Sequence, residues 1–248
     1  MDKKIKKFLC VDDIESLKAI SWNKMRIVTP KIADKRLIVY RFKHMERVAD
    51  ISYQIMMKYM EEYKKSGKSY SSKKTKITKS DYHQLKEIEK NNIETTVIFL
   101  GLVHDIYKFC ESDNLGHGEL VASFFKDYCK RNGIKNTGIV KKMYEALRDH
   151  SDKNKNNDNL FYKILVEADI LSKYSEENFK EKIILLNVSA SEEFKKLEGE
   201  RLKDYKPKTP FYNDLKFKYK NELICLMERG VFREFDKKGG DKKWDTLR

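Results

Sequence analysis

Four of the five histidines and two aspartates have the types and positions expected of metal ligands. Asp105 and Asp169 each lie within an apolar stretch, where a buried carboxylate without a partner is costly. Such a group must be neutralised, pair with Lys or Arg, or bind a cation. A lone histidine is more often a core residue, but several histidines in series with two aspartates favour a site for hard to borderline divalent metals. The candidate ligands are His44, His104, Asp105, His117, His150 and Asp169.

The candidate ligands occur in the order H, HD, H, H and D. Their flanking segments read R-F-x-H-x-x-R-V-A, L-x-H-D-I-x-K, H-G-E and E-A-D-I-L-S. Over about residues 37–190, this pattern resembles the HD superfamily of metal-dependent phosphohydrolases, which has an all-α fold. The resemblance implies that the first metal ion is bound by His44, His104, Asp105 and Asp169. It implies that His117 and His150 help to bind a second.

The resemblance also implies a mechanism and its cofactors. Asp105 would bridge two divalent ions (Mn, Fe, Mg, Co or Ni) about 4 Å apart, and a hydroxide between them would attack the substrate phosphorus. Lys108 matches a family lysine that could contact a phosphate as a point charge, and Glu119 is a candidate proton-relay residue. Tyr107 stands where many members carry glycine, which predicts crowding or stacking in the substrate pocket. His83 matches no ligand and is expected to be exposed.

Three functions are compatible with this site. The first is hydrolysis of a phosphoester or phosphoanhydride bond in a small nucleotide, such as a dinucleoside polyphosphate, an alarmone or a cyclic dinucleotide. The second is an HD-type nuclease of the CRISPR-associated kind acting on single-stranded DNA or RNA, although such nucleases often carry paired histidines where this chain has only His150. The third is a non-catalytic binding module. It ranks last because no ligand is missing.

The chain has 53 Lys and Arg against 39 Asp and Glu, which gives a net charge of +14. This excess fits either lysines that solvate helix faces or a polyanionic partner such as a nucleotide or nucleic acid. Lys64–Glu94 is lysine-rich and is interpreted as an exposed basic insertion. Lys203–Lys220 interleaves lysines with aromatic residues, a combination that favours binding to single strands.

Helices are predicted throughout the chain. No proline occurs between Pro30 and Pro207, and apolar residues recur there at three- and four-residue steps. Met25–Thr29 and Leu37–Tyr40 are β-prone, but such pieces are too short and too few to build a sheet. The predicted fold class is therefore all-α, an HD-domain helical fold.

Predicted helices carry most of the candidate ligands. His44 opens a long amphipathic helix, and the apolar helix predicted over Thr96–Phe109 contains the HD pair. A third helix, capped by Thr137, ends at His150. A fourth, over Leu160–Tyr174, contains the last aspartate. These helices must converge if the candidate ligands are to share metal ions.

A single domain is predicted for residues 1–248, with a helical C-terminal extension over 191–248 and a frayed tail over 237–248. Ser175 and Ser191, each followed by two glutamates, are predicted helix N-caps. Four scattered cysteines make no disulfide framework, and the apolar runs are too short for a signal peptide or a membrane span. The expectation is a cytoplasmic protein with a small phosphorylated substrate and no membrane partner. Its oligomeric state stays open.

Overall fold

The structure is a computed structural model that describes residues 13–29, 35–67, 69–91, 93, 95–110 and 116–233. This part of the chain forms ten α-helices and contains no β-strand, so the predicted all-α class is confirmed. A 3₁₀ turn follows the seventh helix, and a π-helical turn follows the ninth. The helices are α1 (Ile14–Val28), α2 (Lys35–Ser66), α3 (Lys79–Asn91), α4 (Thr96–Val103), α5 (His117–Arg131), α6 (Gly138–Asp149), α7 (Leu160–Leu171), α8 (Glu176–Leu186), α9 (Ala190–Lys196) and α10 (Tyr212–Glu228).

The longest helix, α2, has 32 residues, and α4, α7 and α8 all pack against it. Its buried face repeats at three- and four-residue spacing, with Met45, Val48, Ile55 and Tyr59 withdrawn from solvent. The short helix α4 is apolar on almost every side, and seven of its eight residues are buried. The core therefore lies along α2, with α4 inside it.

Glycines at two helix crossings allow the ligand-bearing elements to approach closely. A Cβ atom on Gly101 would lie 2.4 Å from Cα of Ala49, so a larger residue would push α4 away from α2. A Cβ atom on Gly118 would lie 2.4 Å from the carbonyl oxygen of Arg148, where the start of α5 meets the end of α6. Both contacts occur beside candidate metal ligands.

Two of the three predicted N-caps are confirmed. Thr137 and Ser175 each accept a hydrogen bond from the backbone N–H three residues further on. The predicted cap at Ser191 is wrong by two residues, because Ser189 forms the capping box of α9 with Glu192. The two β-prone segments lie in α2 and in α1 with its C-cap.

The interpretation of residues 64–94 as an exposed insertion is wrong for the second half of the segment. Helix α3 lies there, and it buries Tyr82 and Ile88 against the core. Asp81 in its first turn forms a buried ion pair with Lys163 of α7, with 3.1 Å between Oδ1 and Nζ. The described lysines within residues 64–78, which precede α3, are exposed, as expected.

The aromatic residues of Lys203–Lys220 are mostly core residues and are not available for stacking on bases. Phe211, Tyr212 and Tyr219 are each at most 5% exposed. Tyr205 is half-buried, and Phe217 has 70% of its surface exposed. Three of the five aromatic residues therefore belong to the core, and binding of this stretch to single strands stays a prediction.

Two expectations concern the chain ends and the cysteines. The predicted frayed tail, residues 237–248, and Cys10 lie outside the described residues. Among the described residues, Cys110, Cys129 and Cys225 form no disulfide bond. Among the helices that the structure describes, none combines the length and the apolar character that a bilayer span requires.

Candidate metal centre

Asp105 lies at the centre of the candidate ligands, in the turn that follows α4. Its Oδ2 atom is 3.6 Å from Nε2 of His44 and 3.6 Å from Nε2 of His104. Its Oδ1 atom is 3.3 Å from Nε2 of His117 and 3.6 Å from Nε2 of His150. The carboxylate therefore directs one oxygen to each of two histidine pairs, as a ligand that bridges two cations must.

These five residues, here called the ligand cluster, form two groups of three that share Asp105. In each group the ligand atoms all lie within 4.8 Å of one another. The first group contains His44 and His104, and all of its members are buried. The second contains His117 and His150, and only the side chain of His117, at 17%, has appreciable exposure.

Helix ends orient two of the imidazoles. His104 and His150 are the C-caps of α4 and α6. Each donates its Nδ1–H to the carbonyl oxygen three residues earlier, at 2.7 Å to Gly101 and 2.6 Å to Leu147. Because a carbonyl oxygen only accepts, the proton of each neutral ring lies on Nδ1, and Nε2 keeps its lone pair.

A serine orients the imidazole of His44. The Ser172 hydroxyl donates its single proton to the carbonyl oxygen of Asp169 at 2.7 Å. It must therefore accept from Nδ1 of His44, which lies 3.1 Å away. In the neutral form of the ring, the Nε2 lone pair of His44 then faces the carboxylate of Asp105.

The buried lone pairs test whether the ligand cluster fits a metal ion. The Nε2 atoms of His44 and His104 are buried and have no hydrogen-bond partner among the described residues, a state that folded proteins rarely tolerate. Burial lowers the pKa of His104 to about 3, so its imidazole is neutral at pH 7. Two buried imidazole nitrogens without a hydrogen-bond partner, beside a carboxylate, are donors that a divalent cation would satisfy, so the cluster fits a metal ion.

Arg41 contacts the ligand cluster and was not predicted from the sequence as a site residue. Its guanidinium donates from Nη1 to Oδ2 of Asp105 and from Nη2 to Oε1 of Glu181, both at 3.0 Å. The pKa of the Asp105 carboxyl lies well below its usual range despite burial, and the ion pair with Arg41 favours the same ionised form. The available signal was the string R-F-x-H, which places Arg41 one helical turn before His44.

Asp169, the remaining predicted ligand, lies beside the ligand cluster and is paired with a lysine. Its Oδ1 atom is 3.3 Å from Nε2 of His44, and its Oδ2 atom is 2.5 Å from Nζ of Lys153. Burial alone would raise the pKa of Asp169, but Lys153, Lys173 and His44 lower it well below its usual range. Burial and the nearby Lys153 ammonium lower the pKa of Lys173 to about 7, against the opposing effect of Asp169. Nothing in the sequence pointed to Lys153.

The other two predicted catalytic residues differ in position. Lys108 lies at the edge of the ligand cluster, with Nζ 3.9 Å from Oδ1 of Asp105 and 3.4 Å from Nε2 of His117. Glu119 lies in the first turn of α5, and its charge adds to the hydrogen bond with Asp149 in raising the pKa of the Arg148 guanidinium. No described hydrogen bond or ion pair joins Glu119 to the ligand cluster, so no contact supports its predicted relay role.

Tyr107 and His83, for which the sequence also gave expectations, lie outside the ligand cluster. Tyr107 is half-buried, and the Lys24 ammonium lies 5.5 Å from the centre of its ring. No described contact joins its ring to the cluster, so the predicted crowding of a substrate pocket stays a prediction. His83 is exposed on α3, as expected.

Comparisons of the chain with protein-family models, with curated proteins and with solved structures give no match. The structure establishes an all-helical protein with a buried His/Asp cluster that could hold metal ions. Membership of the HD superfamily and the reaction stay predictions from the order of the ligands.

Proposed function

We propose that the protein is an HD-type, metal-dependent phosphohydrolase that cleaves a phosphoester or phosphoanhydride bond in a small nucleotide. One observation carries the proposal. Asp105 offers one oxygen to His44 and His104 and the other to His117 and His150, at distances between 3.3 and 3.6 Å. Two cations that share a carboxylate are a recurrent solution for the hydrolysis of phosphate esters.

The residues around the ligand cluster have separable roles. Bound divalent cations would supply Lewis acidity and a water of lowered pKa. Arg41 holds the Asp105 carboxylate through a charge-assisted hydrogen bond, and the Nδ1 bonds of His104 and His150 direct their Nε2 atoms inward. Lys108, at the cluster edge, offers a point charge to phosphate oxygens. Mixed imidazole and carboxylate ligation favours Mn or Fe, with Mg and Ni as alternatives, over a tetrahedral zinc site.

Elemental analysis of the purified full chain, followed by hydrolysis assays, tests the proposal. The assay panel contains diadenosine polyphosphates, guanosine tetraphosphate, cyclic dinucleotides, deoxynucleoside triphosphates, single-stranded DNA and single-stranded RNA. We expect about two equivalents of divalent metal and turnover of at least one small nucleotide. Asp105→Asn keeps the side-chain shape and leaves the Arg41–Glu181 ion pair in place, so it should fold, bind no metal and show no turnover.

Asp152→Asn is the matched control, because it removes an exposed carboxylate from the loop that follows His150. This variant should keep the metal content and the activity of the wild type. A wild-type chain that holds no divalent metal after loading and desalting would reject the proposal. Turnover by Asp105→Asn at the wild-type rate would reject it as well.

A nuclease is the second candidate, because four exposed lysines surround the loop before α3: Lys73, Lys74, Lys76 and Lys79. Binding to a single strand along these lysines would give log K against log salt a slope of about −0.7 for each phosphate neutralised. We expect a shallow slope, and an unchanged kcat/KM for the small substrate when all four are replaced by Ser. A steep slope that the four replacements flatten, together with cleavage of DNA or RNA, would favour the nuclease.

A further inference from the structure

Lys153 occupies an unusual place for a cation, directly beside residues that could bind metal. It belongs to the loop between α6 and α7, three residues after His150. Its ammonium is 2.5 Å from Oδ2 of Asp169, whose Oδ1 lies 3.3 Å from Nε2 of His44. One carboxylate therefore faces a lysine on one side and a candidate metal ligand on the other.

Two cations can neutralise the Asp169 carboxylate. One is a divalent cation held by His44 and Asp169, and the other is the ammonium of Lys153. Both are positive, and at contact distances around one carboxylate their repulsion is strong in a site of low dielectric. The amine of Lys173 lies close to that of Lys153. The pairing of Lys153 with Asp169 therefore opposes cation binding, and cation binding favours the departure of Lys153.

The loop backbone is anchored, whereas the Lys153 side chain is partly exposed. The Tyr162 hydroxyl donates to the carbonyl oxygen of Asp152 at 2.5 Å, and Nζ of Lys208 donates to the carbonyl oxygen of Lys155 at 3.0 Å. The Lys153 side chain is 31% exposed, so its flexible four-carbon stem can carry the ammonium from Asp169 towards solvent.

We propose that Lys153 couples metal binding to phosphate binding. Without a divalent cation, its ammonium pairs with Asp169. When a divalent cation binds the Asp169 carboxylate, the Lys153 ammonium moves to a phosphate group of the substrate. That phosphate is the anion that the bound cation brings close to Lys153. Lys108 at the second histidine pair and Lys153 at the first then contact the substrate phosphates from the two ends of the ligand cluster. This inference rests on the proposed function, since it requires a metal at the first histidine pair.

Titration calorimetry of the full chain with Mn²⁺, in the absence and presence of millimolar inorganic phosphate, tests the coupling. In the wild type, phosphate should tighten Mn²⁺ binding, and by linkage Mn²⁺ should tighten phosphate binding by the same factor. Lys153→Gln should bind Mn²⁺ at least about fivefold more tightly than the wild type without phosphate, because a competitor is lost. Its coupling factor should fall at least about fivefold, because the shared lysine is gone.

Lys155→Gln is the matched control, since it removes the same charge from the same loop while its partner, Asp149, lies outside the ligand cluster. It should show the wild-type affinities. Lys153→Met, which keeps the aliphatic stem, replaces Lys153→Gln if circular dichroism shows that the latter is unfolded. Absence of coupling in the wild type, or wild-type coupling in the folded Lys153 variant, overturns the role of Lys153 alone. Failure of the wild type to bind Mn²⁺ overturns the proposed function instead.

Discussion

The contact between Gly118 and the end of α6 gives a prediction that touches no metal ligand. In Gly118→Ala, the new Cβ atom would lie 2.4 Å from the Arg148 carbonyl oxygen. An ordinary carbon–oxygen contact is about 3.3 Å, so one of the two helices must move by about 0.9 Å. His117, the residue before Gly118, and His150, two residues after Arg148, belong to the same group of ligands. The displacement therefore separates the second histidine pair.

Two opposing contributions determine how much Gly118→Ala changes the free energy of unfolding. Overpacking in a closely packed interior costs about 1–3 kcal/mol, and replacing Gly by Ala inside a helix returns about 0.5–1 kcal/mol. We expect a net loss of about 1–2 kcal/mol, which lowers Tm by about 2–8 °C in a domain of this size. Metal sites tolerate deviations of only about 0.2 Å in ligand distance. A shift of about 0.9 Å should therefore remove about one metal equivalent and leave the first histidine pair loaded.

Thermal unfolding of the metal-free chain and elemental analysis of the loaded chain are the two measurements. Gly116→Ala is the control: it lies two residues earlier, a Cβ atom there meets nothing within 4 Å, and its φ of −62° suits any residue. This control should cost less than about 1 kcal/mol and keep the full metal content. If Gly118→Ala retains the wild-type Tm and both metal equivalents, the close contact does not position His117.

Three further predictions concern other residues. His117→Ala should lose about one metal equivalent by elemental analysis, whereas His44→Ala should lose nearly all metal; a single equivalent in the wild type, unaffected by His117→Ala, would leave a mononuclear site. Arg41→Met should lower the free energy of unfolding of the metal-free chain by about 3–5 kcal/mol in urea titrations, because it strands two buried carboxylates; a loss below about 1 kcal/mol would contradict this. Burial raises the pKa of Glu167 from 4.5 to about 7. Between these two pH values the folded chain holds a proton that the unfolded chain has released. The free energy of unfolding should therefore fall by about 3 kcal/mol as the pH rises from about 4.5 to 7. Urea titrations of Glu167→Gln across this range should show a smaller fall, and an unchanged pH profile would contradict the assignment.

The fold class and the convergence of the candidate ligands could be predicted from the sequence because their signals are local. Apolar residues at helical spacing marked α2 and α7, and Thr137 and Ser175 stand directly before the helices that they cap. Each ligand-bearing string is short and contiguous. The meeting of the histidine pairs at Asp105 then follows from packing the predicted helices around one core.

The errors and omissions arise where the deciding contact is distant in sequence. Arg41 reaches Glu181 across 140 residues, and the Lys153 pair with Asp169 depends on the path of a loop. Only three-dimensional packing distinguishes Arg41 and Lys153 from the many basic side chains that solvate the surface. The buried face of α3 was missed because its few apolar residues stand among lysines and acids, so composition outweighed periodicity.

The ligand cluster draws its five members from four elements: α2, the turn after α4, α5 and the end of α6. The first group extends over residues 44–105 and the second over residues 105–150, so neither is complete within a single helix and a metal ion has no compact local site in the unfolded polypeptide. Metal binding must then follow assembly of the helices, and it stabilises the folded state as a whole. Proteolytic cleavage that separates α2 from α6 should divide the ligand cluster and lower its metal content, and chelators should lower Tm in a single step rather than loosen one segment.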